Sequence, residues 1–132
     1  MTVMNKYIIS FSILISANVL ALNPNDFVYK DALSIECKEG SPMQEDLMYC
    51  VSKYYLTSDK ALNTTYKNRM NKLSSSKKIA LKNSQRKWLN IRNKNCDEAY
   101  KQEMEGREAP INYLFCYAEQ NEKRTIFLKN YR

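Results

Sequence analysis

Hydrophobic positions recur at helical spacing through most of the chain. Leu47, Val51, Tyr55, Leu62, Tyr66, Met70 and Leu73 lie three, four or seven residues apart, which gathers them on one face of a helix. Ser41-Pro42-Met43-Gln44 supplies a start signal: a capping serine, a proline in the first helical position and a glutamine three residues after the serine. The polar run Thr57-Ser58-Asp59 predicts a bend or break, and Ser74-Ser75-Ser76 predicts the first clear stop. A second helix then carries Ile79, Leu81, Trp88, Leu89, Ile91, Cys96, Ala99 and Tyr100 until Gly106 ends it, about 29 residues spanning roughly 43 Å. Pro110 opens a third helix with Ile111, Leu114, Phe115, Ala118, Thr125 and Leu128. Two glycines and three prolines leave little material for hairpins. The pattern predicts an all-α fold, an antiparallel bundle of three main helices.

The amino-terminal segment has a different character. Lys6 gives a positive start, Tyr7 to Leu20 is mostly apolar and too short to span a bilayer comfortably, and Val19-Leu20-Ala21 is a small-residue cleavage signal. Residues 1–21 therefore read as a signal peptide, 22–41 as an irregular lead-in containing Pro24 and Gly40, and 42–132 as the helical domain. Export to the periplasm or the medium is the expected fate. No cysteine follows the cleavage site, so neither a lipid anchor nor any other stable membrane anchor is expected after cleavage. The remaining chain is one domain by length.

Exported chains of this size use an even number of cysteines as staples, and Cys37, Cys50, Cys96 and Cys116 all follow the cleavage site. Cys96 lies ten residues before Gly106 and Cys116 six after Pro110. In antiparallel helices the two thiols are offset by only about 6 Å along the axis. Cys37 precedes the first helix and can fold back onto Cys50. Cys37–Cys50 and Cys96–Cys116 are thus favoured over the two crossed alternatives, each closing a loop for which chain entropy gives about 3 kcal/mol.

Charge and chemistry narrow the function. The formal net charge is +7, falling to +6 once Lys6 leaves with the signal peptide. With no histidine, the usual proton shuttle and zinc ligand are missing. No C-x-x-C pair, glycine-rich phosphate loop or serine elbow appears, and the acids sit in local pairs on helix surfaces, so no enzyme, metal or cofactor is expected. Basic pairs Lys77-Lys78, Arg86-Lys87 and Lys123-Arg124 fall on different elements, which argues against nucleic acid.

Gln85, Trp88, Arg92 and Cys96 fall within about 80° of one another on a helix, mixing an amide, an indole, a guanidinium and a thiol on one face. Three steps occur in order: Leu62-Asn63 with Tyr66, then Gln85, Trp88, Arg92 and Cys96, then Cys116 followed by Arg124-Thr125 and Leu128. Together they resemble the LprI-type lysozyme inhibitor family of exported bacterial proteins, over nearly the whole chain after the signal peptide. The resemblance implies a small helical envelope protein that binds lysozyme. Its turn differs, having Gly106-Arg107 where the family often has paired glycines.

Beside that resemblance, the mixed face reads as architecture, a polar core of Asn63, Tyr66, Gln85, Trp88, Arg92 and Arg124. In it Trp88 wedges between helices, Cys96 locks the bundle, and Gln85 and Arg92 bond Asn63, Tyr66 or neighbouring carbonyls. The alternative is a ligand-facing surface on which Arg92 and Arg124 grip an acidic group of a partner. The most acidic stretch, with Asp97, Glu98, Glu103, Glu105 and Glu108 around Gly106, is the candidate contact for a protein partner, a lysozyme or another wall hydrolase. Other partners fit the same fold: a rival's toxin, for an immunity or envelope-stress protein, or an anionic wall or membrane surface bound through the spread of Lys and Arg. The oligomeric state is not fixed by the sequence.

Overall fold

The computed structural model describes residues 21–132, so the expected signal peptide, apart from Ala21, lies outside the described residues. Three helices, α1 (Gln44–Asn71), α2 (Ser75–Glu103) and α3 (Ala109–Asn130), follow two short 3-10 turns at Pro24–Asp26 and Ala32–Ser34, and no strand occurs among the described residues. The fold is the all-α, disulfide-stapled bundle. Its shared element is α3, against which both α1 and α2 pack. Its inward stripe Tyr113, Leu114, Tyr117, Ala118, Asn121, Arg124, Thr125 and Leu128 recurs once per helical turn as single residues or adjacent pairs and is buried throughout.

Two core clusters divide the bundle along its length. At the end nearer the α2–α3 loop, Met48, Val51, Tyr55, Cys96, Tyr113, Leu114, Tyr117 and Ala118 pack together. The lead-in covers them: Phe27 sits 5.2 Å from the Tyr100 ring and 5.3 Å from the Tyr113 ring, and the Tyr29 N–H donates to Ser52 Oγ at 3.0 Å. Both favoured disulfides form at this end, Cys37–Cys50 and Cys96–Cys116. Toward the α1–α2 turn, Leu62, Leu81 and Leu128 take one residue from each helix, with Tyr66, Met70, Leu73, Trp88 and Tyr131 around them.

Several local expectations are corrected. Helix α1 begins at Gln44 with Met43 as its cap residue, not Ser41. Ser41 Oγ instead accepts the Met43 N–H at 3.2 Å and donates to Asp46 Oδ2 at 2.6 Å, one step upstream of the helix. Gln44 does not turn back on its own helix: its Nε2 donates to the Arg107 carbonyl at 2.7 Å and its Oε1 accepts from Arg107 Nε at 3.0 Å, clasping α1 to the α2–α3 loop. The helix also runs unbroken through Thr57-Ser58-Asp59. Ser58 is buried there, its hydroxyl donating to the Tyr55 carbonyl at 2.9 Å and accepting from Asn121 Nδ2 at 3.4 Å, so the polarity is absorbed by α3.

Helix α2 buries less than its sequence suggests. Only Leu81, Gln85 and Cys96 are fully buried, while Ile79 and Ile91 stay 63% and 49% exposed. A helix that packs mainly on a single neighbour covers one narrow stripe, and residues 79 and 91 fall off it.

Candidate functional site

The mixed face of α2 meets the polar positions of α3 across the bundle interior. Arg124, buried on α3, donates from Nε to Gln85 Oε1 at 2.9 Å and from Nη2 to Ser84 Oγ at 2.8 Å. Arg92 answers from α2, its Nη1 donating to Asn121 Oδ1 at 2.7 Å while Nε and Nη2 share Asn93 Oδ1 at 3.1 and 3.0 Å. Aromatic rings close the remaining sides. The Arg92 guanidinium lies 5.0 Å from the Trp88 ring centroid and 4.7 Å from that of Tyr117, and the Arg124 guanidinium lies 5.5 Å from Trp88 and 4.1 Å from Phe127.

Neither arginine forms an ion pair with a carboxylate among the described residues. Burial pulls both guanidinium groups below their ordinary values, with nearby Tyr117, Tyr55 and Asp59 pulling Arg92 back up, and an arginine stays charged through such shifts. Amide oxygens, a hydroxyl and ring faces thus replace the water the two cations give up, and no buried polar side-chain atom among the described residues lacks a partner. The face joins α2 to α3, with Trp88 in contact with both cations.

Two expected members lie outside this network. Asn63 is exposed on α1 and donates to Asp59 Oδ2 at 3.1 Å, within its own helix. Tyr66 is half-buried against the leucine cluster and bonds neither Gln85 nor Arg92. Asn121 and Ser84 stand in their place. Asn121 was legible in principle, because it precedes Arg124 by three residues and so shares its helix face.

The acidic stretch divides as well. Asp97 is turned inward, its Oδ1 accepting from the Tyr113 hydroxyl at 2.9 Å and the Tyr117 hydroxyl at 3.3 Å. Burial, together with its bonds to Tyr117 and Asp97, pushes the Tyr113 hydroxyl far above the ordinary tyrosine range. Glu98 lies 3.9 Å from Lys94 one turn away, and Glu103 accepts from Asn112 Nδ2 at 2.8 Å across the loop. Glu105 and Glu108 are exposed without an ion pair among the described residues. The loop from Lys101 to Ala109, with Asn112, lines an open groove of about 820 Å³. Glu98, Glu103, Glu105, Gly106 and Glu108 are therefore the exposed part of the candidate contact, and Asp97 is a structural acceptor.

Charge is sorted along the bundle. All 14 acidic residues fall within residues 26–59 and 97–122, alongside only five Lys and Arg. Those segments are the lead-in, the first half of α1, the end of α2, the α2–α3 loop and the first half of α3, which the antiparallel packing collects at the disulfide end. The net charge of the whole chain conceals this end. No group of three or more acids and thiols suited to a metal ion occurs among the described residues, and none of their helices is long and apolar enough to cross a membrane.

A family model described as lysozyme inhibitor LprI matches residues 36–128, from the first cysteine's neighbour to the last buried leucine of α3. Neither a curated protein nor a solved structure matches the chain.

Proposed function

The chain belongs to the LprI lysozyme inhibitor family, and from that membership we propose that it is an exported, non-enzymatic protein that binds a lysozyme-type peptidoglycan hydrolase and occludes it. The family match carries this reading. The charge sorting supports it by removing an electrostatic objection. A uniformly positive protein meets a basic lysozyme with long-range repulsion, whereas one that leads with an acidic end is steered toward it.

The proposed contact is the α2–α3 turn. Glu103, Glu105 and Glu108 flank Gly106 on an exposed loop held from beneath by the Gln44–Arg107 clasp and the Cys96–Cys116 bond. A loop fixed in this way loses little conformational freedom on binding, which favours affinity. Occlusion requires no chemistry from the inhibitor, only a surface that competes with the wall polymer for a basic cleft.

Lysis of a peptidoglycan suspension by a chicken-type lysozyme, followed by turbidity, tests the reading. Dose-dependent protection by the oxidised, exported protein at low and physiological salt is expected. No protection in either salt would refute lysozyme as the partner.

A further inference from the structure

The end opposite the disulfides carries charge of one sign. Residues 67–87, on either side of the α1–α2 turn, hold eight Lys and Arg, residues 123–132 hold four more, and neither segment contains an Asp or Glu. The fold unites the two segments. Arg69 Nε donates to the Leu128 carbonyl at 3.0 Å and Nη2 to the Lys129 carbonyl, fixing the end of α1 to the end of α3, and Leu62, Leu81 and Leu128 bring α2 alongside. Arg124 is consumed in the interior. Lys72, Lys77, Lys78, Lys82, Lys129 and Arg132 remain exposed at or near the three helix ends, and none forms an ion pair among the described residues.

A solvated helix surface ordinarily mixes both signs, which relieves self-repulsion. This end keeps cations alone, around the short turn of residues 72–74. We infer that it is a docking surface for an anionic phospholipid bilayer. Clusters of about four to eight Lys and Arg on a helical surface are attracted by phosphate-bearing headgroups. Ile79, exposed between Lys78 and Lys82, places an aliphatic group where it enters the headgroup layer. The alternative polyanion, nucleic acid, is disfavoured because the start of α2 that carries Lys77, Lys78 and Lys82 has no aromatic side chain, and Phe127 and Tyr131 at the end of α3 pack on each other and, through Phe127, on Arg124. With helices of roughly 40 Å, a bundle standing on this end holds its acidic turn well clear of the lipid and open to soluble enzymes. The surface is independent of the inhibitor reading, because lipid attachment needs no contact with lysozyme.

Co-flotation with vesicles separates the outcomes. The full protein is expected to float with equimolar phosphatidylglycerol and phosphatidylcholine, not with phosphatidylcholine alone, and to be released by high salt. The triple variant Lys77→Glu, Lys78→Glu, Lys82→Glu is expected to lose roughly 100-fold or more in partitioning. These side chains are exposed, so the helices are expected to persist in the variant, which circular dichroism checks. A second variant, Lys30→Glu, Lys38→Glu, Lys101→Glu, makes the same change in net charge at the acidic end and is expected to keep most of the binding. Equal loss in the two variants would overturn the proposal, as would tight binding to duplex DNA or polyphosphate without binding to the vesicles.

Discussion

The two ends of the bundle are built from the same three helices by different means. At the disulfide end, tyrosines dominate: Tyr55, Tyr113 and Tyr117 are buried, Tyr113 and Tyr117 lie ring to ring at 5.0 Å, and the lead-in adds Phe27. At the turn end, three leucines form the buried cluster and the chain itself closes it through residues 72–74. The disulfide end gathers all the acids and must also hold down a lead-in that enters from outside the bundle. Its two covalent bonds sit where like charge and loose topology both oppose order. A short connection performs the equivalent task at the turn end, where the cations stay exposed because a few interior contacts suffice.

That contrast predicts unequal responses to mutation. The largest loss of stability is expected from Leu128→Ala, about 4 kcal/mol, because Leu128 is fully buried between α1 and α2 and its truncation leaves a cavity beside Leu62 and Leu81. Urea unfolding measures it. Replacing Cys96 and Cys116 by serine is expected to cost about 3 kcal/mol, read in the same way. A substantially larger loss than that of Leu128→Ala would reverse the ranking of the two ends.

Between the ends, Gln85→Leu leaves the buried Arg124 guanidinium with Ser84 as its remaining side-chain hydrogen-bond partner and is expected to cost about 2 kcal/mol. The double variant Gln85→Leu, Arg124→Met is expected to recover part of that loss, since the stranded charge is gone. A purely apolar role for residue 85 would show no such recovery.

Alkali should find the tyrosine-rich end first. The Tyr55 hydroxyl is pushed up to about 12, chiefly by burial and then by Asp59, and Tyr113 is raised as well. Because the folded state holds these protons more tightly than the unfolded chain does, stability is intact below the ordinary tyrosine value of about 10 and falls as pH rises toward 12. Tyrosinate absorbance should appear late and together with loss of helix. Early, non-cooperative ionisation of Tyr55, Tyr113 and Tyr117 would contradict this. The smallest effect is expected from Lys77→Glu, Lys78→Glu, Lys82→Glu, within about 0.5 kcal/mol of the parent, since these exposed side chains make no ion pairs among the described residues.

Much of this architecture was legible because it depends on periodicity and spacing. The stop at Ser74-Ser75-Ser76, the third helix opening beside Pro110 and both disulfides follow from local chemistry and axial offsets. The errors arise where a side chain answers to a distant partner. Gln44 left its capping role for Arg107, and Ser58 used Asn121 to keep α1 continuous. Asn63 looked like a core amide because it sits in a recognisable step, yet its helix position faces water. Ile79 and Ile91 carried the right residue type on the wrong side of a helix with one narrow contact. The charge sorting is not legible in the sequence, because the basic pairs fall on different elements. Four alternating blocks become two ends only when the helices are folded antiparallel.

The central claim is that the ends have different partners, and association kinetics with a basic lysozyme test it most directly. Binding is compared for the parent, for Glu103→Lys, Glu105→Lys, Glu108→Lys and for Lys77→Glu, Lys78→Glu, Lys82→Glu, at low and physiological salt. The account predicts that the acidic-turn variant loses most of its association rate, roughly tenfold or more at low salt, while the basic-end variant binds as well as the parent or faster. Undiminished binding by the acidic-turn variant, or equal loss in both, would contradict it.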